Sequence, residues 1–275
     1  CKSLDCVSVF ALTCEDAVTV LDVAMATDEE DSYSRPNQPF NTGAYWQDKA
    51  PSAFRFGVPD ALDFDGDSEA EALFDEACRQ LEELGGEPVA VNFAPFKKAA
   101  ALLYEGPWVA ERVWATKSVN PDDMLPVIRD IFASVQNFTV TDVFAAQYQL
   151  QALKQVCDRE MARADFLVPP TTPTCYTRSA IRQEPVALNS RLGTYTNFMN
   201  LLDYTATAIP IGRLESGVSW GITLLAESFQ DISLLSYAGA LQRKLNQPLG
   251  ATEHLLPPET SASGRPRPGD SVKVV

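Results

Sequence analysis

The side chains best suited to nucleophilic or metal chemistry are six cysteines and one histidine. The cysteines lie at positions 1, 6, 14, 78, 157 and 175, and no two of them form a Cys-x-x-Cys pair. Zinc sites need clusters of Cys and His at such short spacings, and His254 alone cannot complete one. We therefore expect no bound metal, and we expect the thiols to pack as small apolar groups in a reducing cytoplasm.

Hydrolytic serine chemistry and phosphate binding are not predicted from local patterns either. No segment is predicted to form a nucleophile elbow or a glycine loop that cradles phosphate. A short serine-rich run at 260–264 has no lysine beside it until Lys273. We expect the side chains of Lys97, Lys98 and Lys117 to be solvated. The chain itself is therefore expected to hold no catalytic residues and no cofactor.

Composition and charge limit the possible partners. Of the 275 residues, 45% are hydrophobic and 21% are charged, which is ordinary for a globular chain with a buried core. The net charge of −15 opposes binding to nucleic acid or to anionic lipid, so neither is expected. We find no membrane span and no signal peptide, and a cytoplasmic location is expected. The start at Cys1, without Met, favours a fragment of a longer protein.

The first half of the sequence alternates strands and helices. Residues 6–12 predict a short strand, and Thr13 begins a helix with acidic residues in its first turn. Polar residues with several prolines predict a long irregular loop over 27–53. A strand over 54–58, a helix capped at 65–68 and ended at Gly85-Gly86, and a strand over 87–93 follow. This rhythm is typical of α/β architecture.

The second half predicts further helices and strands before a polar tail. Expected helices run from Asn120-Pro121 to about Ser134, from Thr141 to about Ala164, and over 229–245. Expected strands lie at 166–168, 207–211 and 220–225. Residues 1–250 are assigned to one mixed α/β domain. Residues 251–275 have linker composition and are assigned to a linker toward a further carboxyl-terminal domain.

Five segments, in order, resemble the amidase-signature family. One is Gly57-Val58-Pro59 at a strand end, and another is Pro170-Thr171-Thr172-Pro173. The matching segments lie at residues 1–10, 55–59, 165–173, 200–210, and 221–225 together with 229–231. The resemblance implies an α/β fold in which helices cover both faces of a mixed sheet, with the amino-side portion of the domain missing.

Within that family, residues 103–112 and 31–35 are most similar to the allophanate hydrolase branch. The resemblance implies that Tyr104 and Arg112 bind the substrate carboxylate. Arginine offers a rigid fork for a carboxylate, and tyrosine adds an O–H donor. Glu111-Arg112 could instead be an exposed charged pair, and Tyr104 could belong to the core. Whether both side chains reach one pocket depends on the turn at Gly106.

The family's catalytic Lys–Ser–Ser group matches nothing in this chain and would lie upstream of it. The resemblance implies hydrolysis of allophanate to ammonia and carbon dioxide through an acyl-serine intermediate, as part of urea degradation and nitrogen metabolism. It also implies a homodimer. Two alternatives stay open. The chain could be an inert fragment or scaffold, or it could belong to another amidase-signature hydrolase of small carboxylated amides.

Overall fold

The computed structural model describes residues 1–47 and 49–256. Most of the predicted linker over 251–275, from residue 257 onward, lies outside the described residues. The strands are β1 Phe54–Pro59, β2 Gly86–Val91, β3 Phe166–Leu167, β4 Tyr204–Arg213 and β5 Ser219–Glu227. The α-helices are α1 Cys14–Ala24, α2 Ser68–Glu83, α3 Ala94–Tyr104, α4 Val109–Ala115, α5 Pro126–Ala133, α6 Val140–Met161, α7 Arg178–Gln183, α8 Pro185–Leu192 and α9 Asp231–Leu245.

The strands form one mixed sheet in the order β2-β1-β3-β5-β4. Strands β2, β1 and β3 are parallel, and β5 runs antiparallel to both β3 and β4. Gly57 in β1 faces Val89 on one side and Leu167 on the other. The parallel strands require helical crossovers, whereas β4 and β5 are joined by a hairpin.

Helices cover both faces of this sheet. Successive side chains of a strand point to opposite faces, so the sheet contributes to two separate cores. Phe166 and Leu224 point into a core that also contains buried residues of α2 and α9. Leu167 and Leu225, the next residues along, point into a second core with buried residues of α3 and α6. The predicted α/β class, with a mixed sheet and helices on both faces, is confirmed.

Local sequence explains where several helices begin. The Thr13 hydroxyl accepts a hydrogen bond from the Asp16 N–H at the start of α1. Asp67 accepts from two backbone N–H groups at the start of α2. Thr139 and Asp142 form a reciprocal capping box at the start of α6. These contacts satisfy N–H groups that have no partner inside the helix, so the predicted starts are confirmed to within two residues.

The strand predicted over residues 6–12 is wrong. A strand needs a neighbour for its backbone hydrogen bonds, and the part of the chain that the structure describes provides none for this segment. Its side chains are solvent-exposed, Phe10 at 98% and Val7 at 89%.

The single helix predicted from Asn120 to Ser134 is also wrong. Pro126 restricts the residue before it, and Leu125 adopts an extended ψ of 142°. The segment therefore splits into a short 3-10 helix at Pro121–Asp123 and the helix α5. Helices α3, α7 and α8 were not predicted from the sequence. Among the described residues, no helix combines the length and the apolar character needed to cross a membrane.

Candidate functional site

Tyr104 and Arg112 are brought together by the turn between α3 and α4. Tyr104 is the last residue of α3, and Arg112 lies in the middle of α4. The Arg112 Cζ atom lies 5.1 Å from the centroid of the Tyr104 ring, in cation–π contact. A Cβ atom on Gly106 would lie 2.5 Å from the Leu102 carbonyl oxygen, so this turn requires glycine. The turn therefore places both side chains side by side.

A cavity of about 450 Å³ lies next to this pair. Arg112 lines it, whereas Tyr104 is not among the lining residues and is 45% exposed. The exposure of Tyr104 removes the alternative that it belongs to the core. The other lining residues come from the start of the chain, the end of α3 and the segment before β4: Cys1, Leu4, Asp5, Leu103, Thr196, Asn197, Asn200 and Leu201.

The Arg112 guanidinium has no hydrogen-bond or ion-pair partner within residues 1–47 and 49–256. Its neighbour Glu111 points elsewhere, because adjacent residues of a helix do not face each other. The Glu111 carboxylate accepts hydrogen bonds from the backbone N–H of Ser3, at 2.8 Å, and from the Ser3 hydroxyl. Glu111 and Arg112 therefore do not form a charged pair, and the five guanidinium N–H donors are available to a ligand.

The opposite side of the cavity is formed by residues that the sequence analysis did not single out. Asn197 and Asn200 present amide groups, and Asp5 presents a carboxylate. A Cβ on Gly193 would lie 2.2 Å from the Asn197 Oδ1 atom, so this glycine makes room for the amide. Asn200 lies in a segment that carried the family resemblance. Its place in the cavity depends on contacts distant in sequence, which no local pattern reveals.

A second arginine from the segments that carry the resemblance is already paired. Arg35 forms a two-pronged ion pair with Asp203, with both N–O distances at 2.7 Å. Its guanidinium also lies 4.8 Å from the centroid of the Phe229 ring. These contacts fasten the long loop over 27–53 to the start of β4 and the end of β5. Arg35 therefore has a structural partner, unlike Arg112.

Three buried or half-buried thiols are not activated nucleophiles. Burial raises the pKa of Cys14 to about 11 and the pKa of Cys78 and of Cys157 to about 12. Thiols with such pKa values are protonated at neutral pH and therefore weakly nucleophilic.

A half-buried lysine, Lys154, has a structural role. It lies 3.0 Å from an Asp158 carboxylate oxygen and donates to the Leu202 carbonyl oxygen at 2.9 Å. The Tyr204 hydroxyl donates to the same carboxylate at 2.7 Å. Burial, reinforced by this hydrogen bond, raises the pKa of Tyr204. Lys154 thus ties α6 to the start of β4.

One sequence pattern has the spacing of a nucleophile elbow, but it does not form one. Gly217, Ser219 and Gly221 stand in Gly-x-Ser-x-Gly order. A working elbow holds its serine on a sharp strand-to-helix turn. Here Ser219 is the first residue of β5, after a hairpin turn in which Gly217 has a φ of +81°. The pattern is therefore part of a β-hairpin. Within the described residues, no cluster of three or more His, Cys, Asp or Glu side chains could hold a metal ion.

Comparison with known proteins places the chain in a family. The model of the family described as Amidase matches residues 1–235. The chain belongs to the amidase family. This amidase-family chain is 38% identical over 244 residues to the protein named urea amidolyase from Lachancea kluyveri; the match covers 86% of the chain and 13% of that protein.

Solved structures agree with this family membership. Kluyveromyces lactis allophanate hydrolase superposes with a TM-score of 0.83 at 35% identity, covering 90% of this chain and 40% of that one. The K. lactis urea amidolyase structure gives a TM-score of 0.87 at 33% identity, covering 97% of this chain and 16% of that one. The amidase-family chain thus spans well under half the length of these relatives.

Proposed function

We propose that this chain forms the carboxylate-binding side of an amidase that hydrolyses allophanate. In this proposal Arg112 pairs with the substrate carboxylate, and Tyr104 orients Arg112 and donates its O–H. The catalytic Lys–Ser–Ser group comes from the part of the enzyme outside these 275 residues. The observation that carries the proposal is the unpaired Arg112 guanidinium, which lines a cavity of about 450 Å³ and stacks on Tyr104.

Arg112 supports an anionic ligand at its own position in the cavity, although the Asp5 carboxylate also lines that cavity. The chain carries a net charge of −15, so its long-range field repels an anion. A binding site for a carboxylate in such a protein needs a local cation without an internal partner, and Arg112 has that property. A guanidinium can donate two parallel hydrogen bonds to one carboxylate, which fixes the orientation of the ligand as well as its position.

Tyr104 supports the proposal through geometry. An aromatic ring against a guanidinium restricts how that group can rotate, and the cation–π contact stabilises the charge. Because Tyr104 is 45% exposed, its side chain remains open to solvent or a ligand.

The proposed reaction follows from where the carboxylate is held. With one end of allophanate fixed at Arg112, the carbamoyl carbon at the other end is presented to a serine nucleophile. Attack by the serine oxygen breaks the C–N bond to the terminal amino group, ammonia leaves, and water then releases the acyl group from the serine. In this proposal the residues of this chain hold the substrate, and the serine and lysine supplied by the rest of the enzyme carry out the bond changes.

Kinetic analysis of Arg112 tests this proposal in the parental enzyme, meaning these 275 residues joined to the segment that supplies the Lys–Ser–Ser group. Replacing Arg112 by Ala should raise KM for allophanate and lower kcat/KM. The fall should correspond to a loss of about 2–3 kcal/mol of transition-state stabilisation, the cost of removing hydrogen bonds to a charged group. Arg112→Lys keeps the charge but loses the fork, so it should restore only part of kcat/KM. Ammonia release is the measurement.

A matched control and the chain alone complete the test. Arg79 is an exposed arginine on α2, on the other face of the sheet, and Arg79→Ala should leave the kinetics unchanged. The 275 residues alone should release no ammonia from allophanate. Unchanged kinetics for Arg112→Ala, or ammonia release by the isolated chain, would contradict the proposal.

A further inference from the structure

The segment before β4, which forms part of the cavity, is fixed in place by two aromatic residues. Tyr195 and Phe198 are both completely buried. The Tyr195 hydroxyl accepts a hydrogen bond from the Asp63 N–H at 2.6 Å and donates to the Asp63 carbonyl oxygen at 3.0 Å. The Phe198 ring packs against two other completely buried aromatic rings. The two residues between these anchors, Thr196 and Asn197, line the cavity.

The Asn197 side chain is confined but has no hydrogen-bond partner. A Cβ on Gly193 would lie 2.2 Å from the Asn197 Oδ1 atom and 2.4 Å from its Nδ2 atom, so the amide packs directly on this glycine. The amide makes no hydrogen bond within residues 1–47 and 49–256. A half-buried amide held in this way can bind a ligand with little further loss of side-chain freedom.

The other polar side chains beside Asn197 in the cavity are less suited to recognise an amide. Asn200 uses its Nδ2 atom to donate to the Leu4 carbonyl oxygen. Asp5 is exposed, and its ionised carboxylate can only accept hydrogen bonds. The Thr196 hydroxyl is a single group, whereas the Asn197 amide offers a donor and an acceptor in one plane. Asn197 therefore matches the donor and the acceptor that an amide presents.

We propose that Asn197 determines specificity for the amide part of the ligand. Arg112 binds the carboxylate, while the Asn197 amide accepts a hydrogen bond from a ligand N–H and donates one to a ligand oxygen. The two side chains come from separate elements, α4 and the segment before β4, and line the same cavity. A ligand must carry both a carboxylate and an amide to use both of them. This proposal deepens the proposed function and rests on it.

Two ligands of similar size test the proposal in the parental enzyme. Malonamate carries a carboxylate and an amide, whereas isovalerate carries the same carboxylate and two methyl groups in place of the amide oxygen and nitrogen. Dissociation constants for both are measured by NMR titration. Asn197→Ala should weaken malonamate binding about tenfold, equivalent to about 1.4 kcal/mol and within the range for two neutral hydrogen bonds. Isovalerate has no amide to bind, so its dissociation constant should change by less than about twofold.

Gly193→Ala tests the position of the amide without removing it. The φ of Gly193 is −89°, which alanine can adopt, so the added methyl group acts by displacing the Asn197 amide. This variant should also weaken malonamate and spare isovalerate. Adding Asn197→Ala to it should give the affinities of Asn197→Ala alone, since both changes remove the same contact. Asn137→Ala, at an exposed asparagine outside the cavity, is the matched control and should bind both ligands as the wild type does.

The possible results separate this proposal from the proposed function. If Asn197→Ala weakens both ligands equally or leaves malonamate binding unchanged, while Arg112→Ala still weakens both, the role of Asn197 is wrong and the proposed function stands. Wild-type malonamate binding in Gly193→Ala would also overturn the role of Asn197. If Arg112→Ala binds both ligands as the wild type does, the proposed function itself is wrong.

Discussion

Replacing Gly57 by Ala should destabilise the protein, because this glycine lies in the middle of the sheet with no room for a methyl group. An added Cβ would lie 2.2 Å from Leu167 Cδ2 and 3.0 Å from Val91 Cγ1. Both neighbours are completely buried, so neither can rotate toward solvent. Overpacking a core costs about 1–3 kcal/mol. The reduced freedom of the unfolded chain offsets about 0.4–1 kcal/mol of this.

The net expectation for Gly57→Ala is a loss of about 1–2 kcal/mol in the free energy of unfolding, measured by urea denaturation of the parental enzyme. Gly212→Ala is the matched control. Its Cβ would meet Leu73 Cδ2 at 2.6 Å, but Leu73 is only half-buried and its end can move. The control should change stability by less than about 1 kcal/mol. Equal losses in the two variants, or no loss in Gly57→Ala, would refute the packing argument.

Two other predictions concern titratable groups. Burial alone would raise the pKa of Asp67, but hydrogen bonds from Thr174 and two backbone N–H groups outweigh it and lower the pKa. The stability contributed by ionised Asp67 is therefore present above the ordinary carboxyl pKa of about 4 and is lost as the pH falls through the lowered value in the folded protein. Asp67→Ala should cost about 1–2 kcal/mol at pH 7 and less in acid, by urea denaturation, and an equal cost at both pH values would count against this cap. At pH 8, Cys157, fully buried and with its pKa raised to about 12, should be alkylated far more slowly than exposed Cys6, as measured by peptide mass spectrometry. Equal labelling rates in the folded protein would contradict this.

Features of the fold that depend on local chemistry could be predicted from the sequence. Thr13 and Asp67 are residue types that cap helix starts, and both do so here. The motif around Gly57 and the one ending at Pro173 indicated the family. The prediction for residues 6–12 failed because alternation of side chains cannot show whether a neighbouring strand exists. The helix predicted from Asn120 fails because Pro126 holds Leu125 in an extended conformation.

The candidate site was predictable only in part. Tyr104 and Arg112 were predicted from the family resemblance. Their proximity depends on the turn at Gly106, and the sequence alone does not determine the conformation of that turn. The contact between Ser3 and Glu111 joins residues 108 positions apart, and that between Leu4 and Asn200 joins residues 196 positions apart. Such pairs are created by the packing of the whole domain, so no local spacing indicates them.

The most direct test of carboxylate recognition compares allophanate with biuret, a neutral molecule of the same shape in which an amide replaces the carboxylate. Ammonia release from each is measured with the parental enzyme and with Arg112→Ala. In Arg112→Ala, kcat/KM for allophanate should fall about 100-fold, equivalent to about 2.7 kcal/mol, while kcat/KM for biuret should change by less than about threefold. An equal fall for both substrates, or no fall for allophanate, would contradict the assignment of Arg112 to the carboxylate.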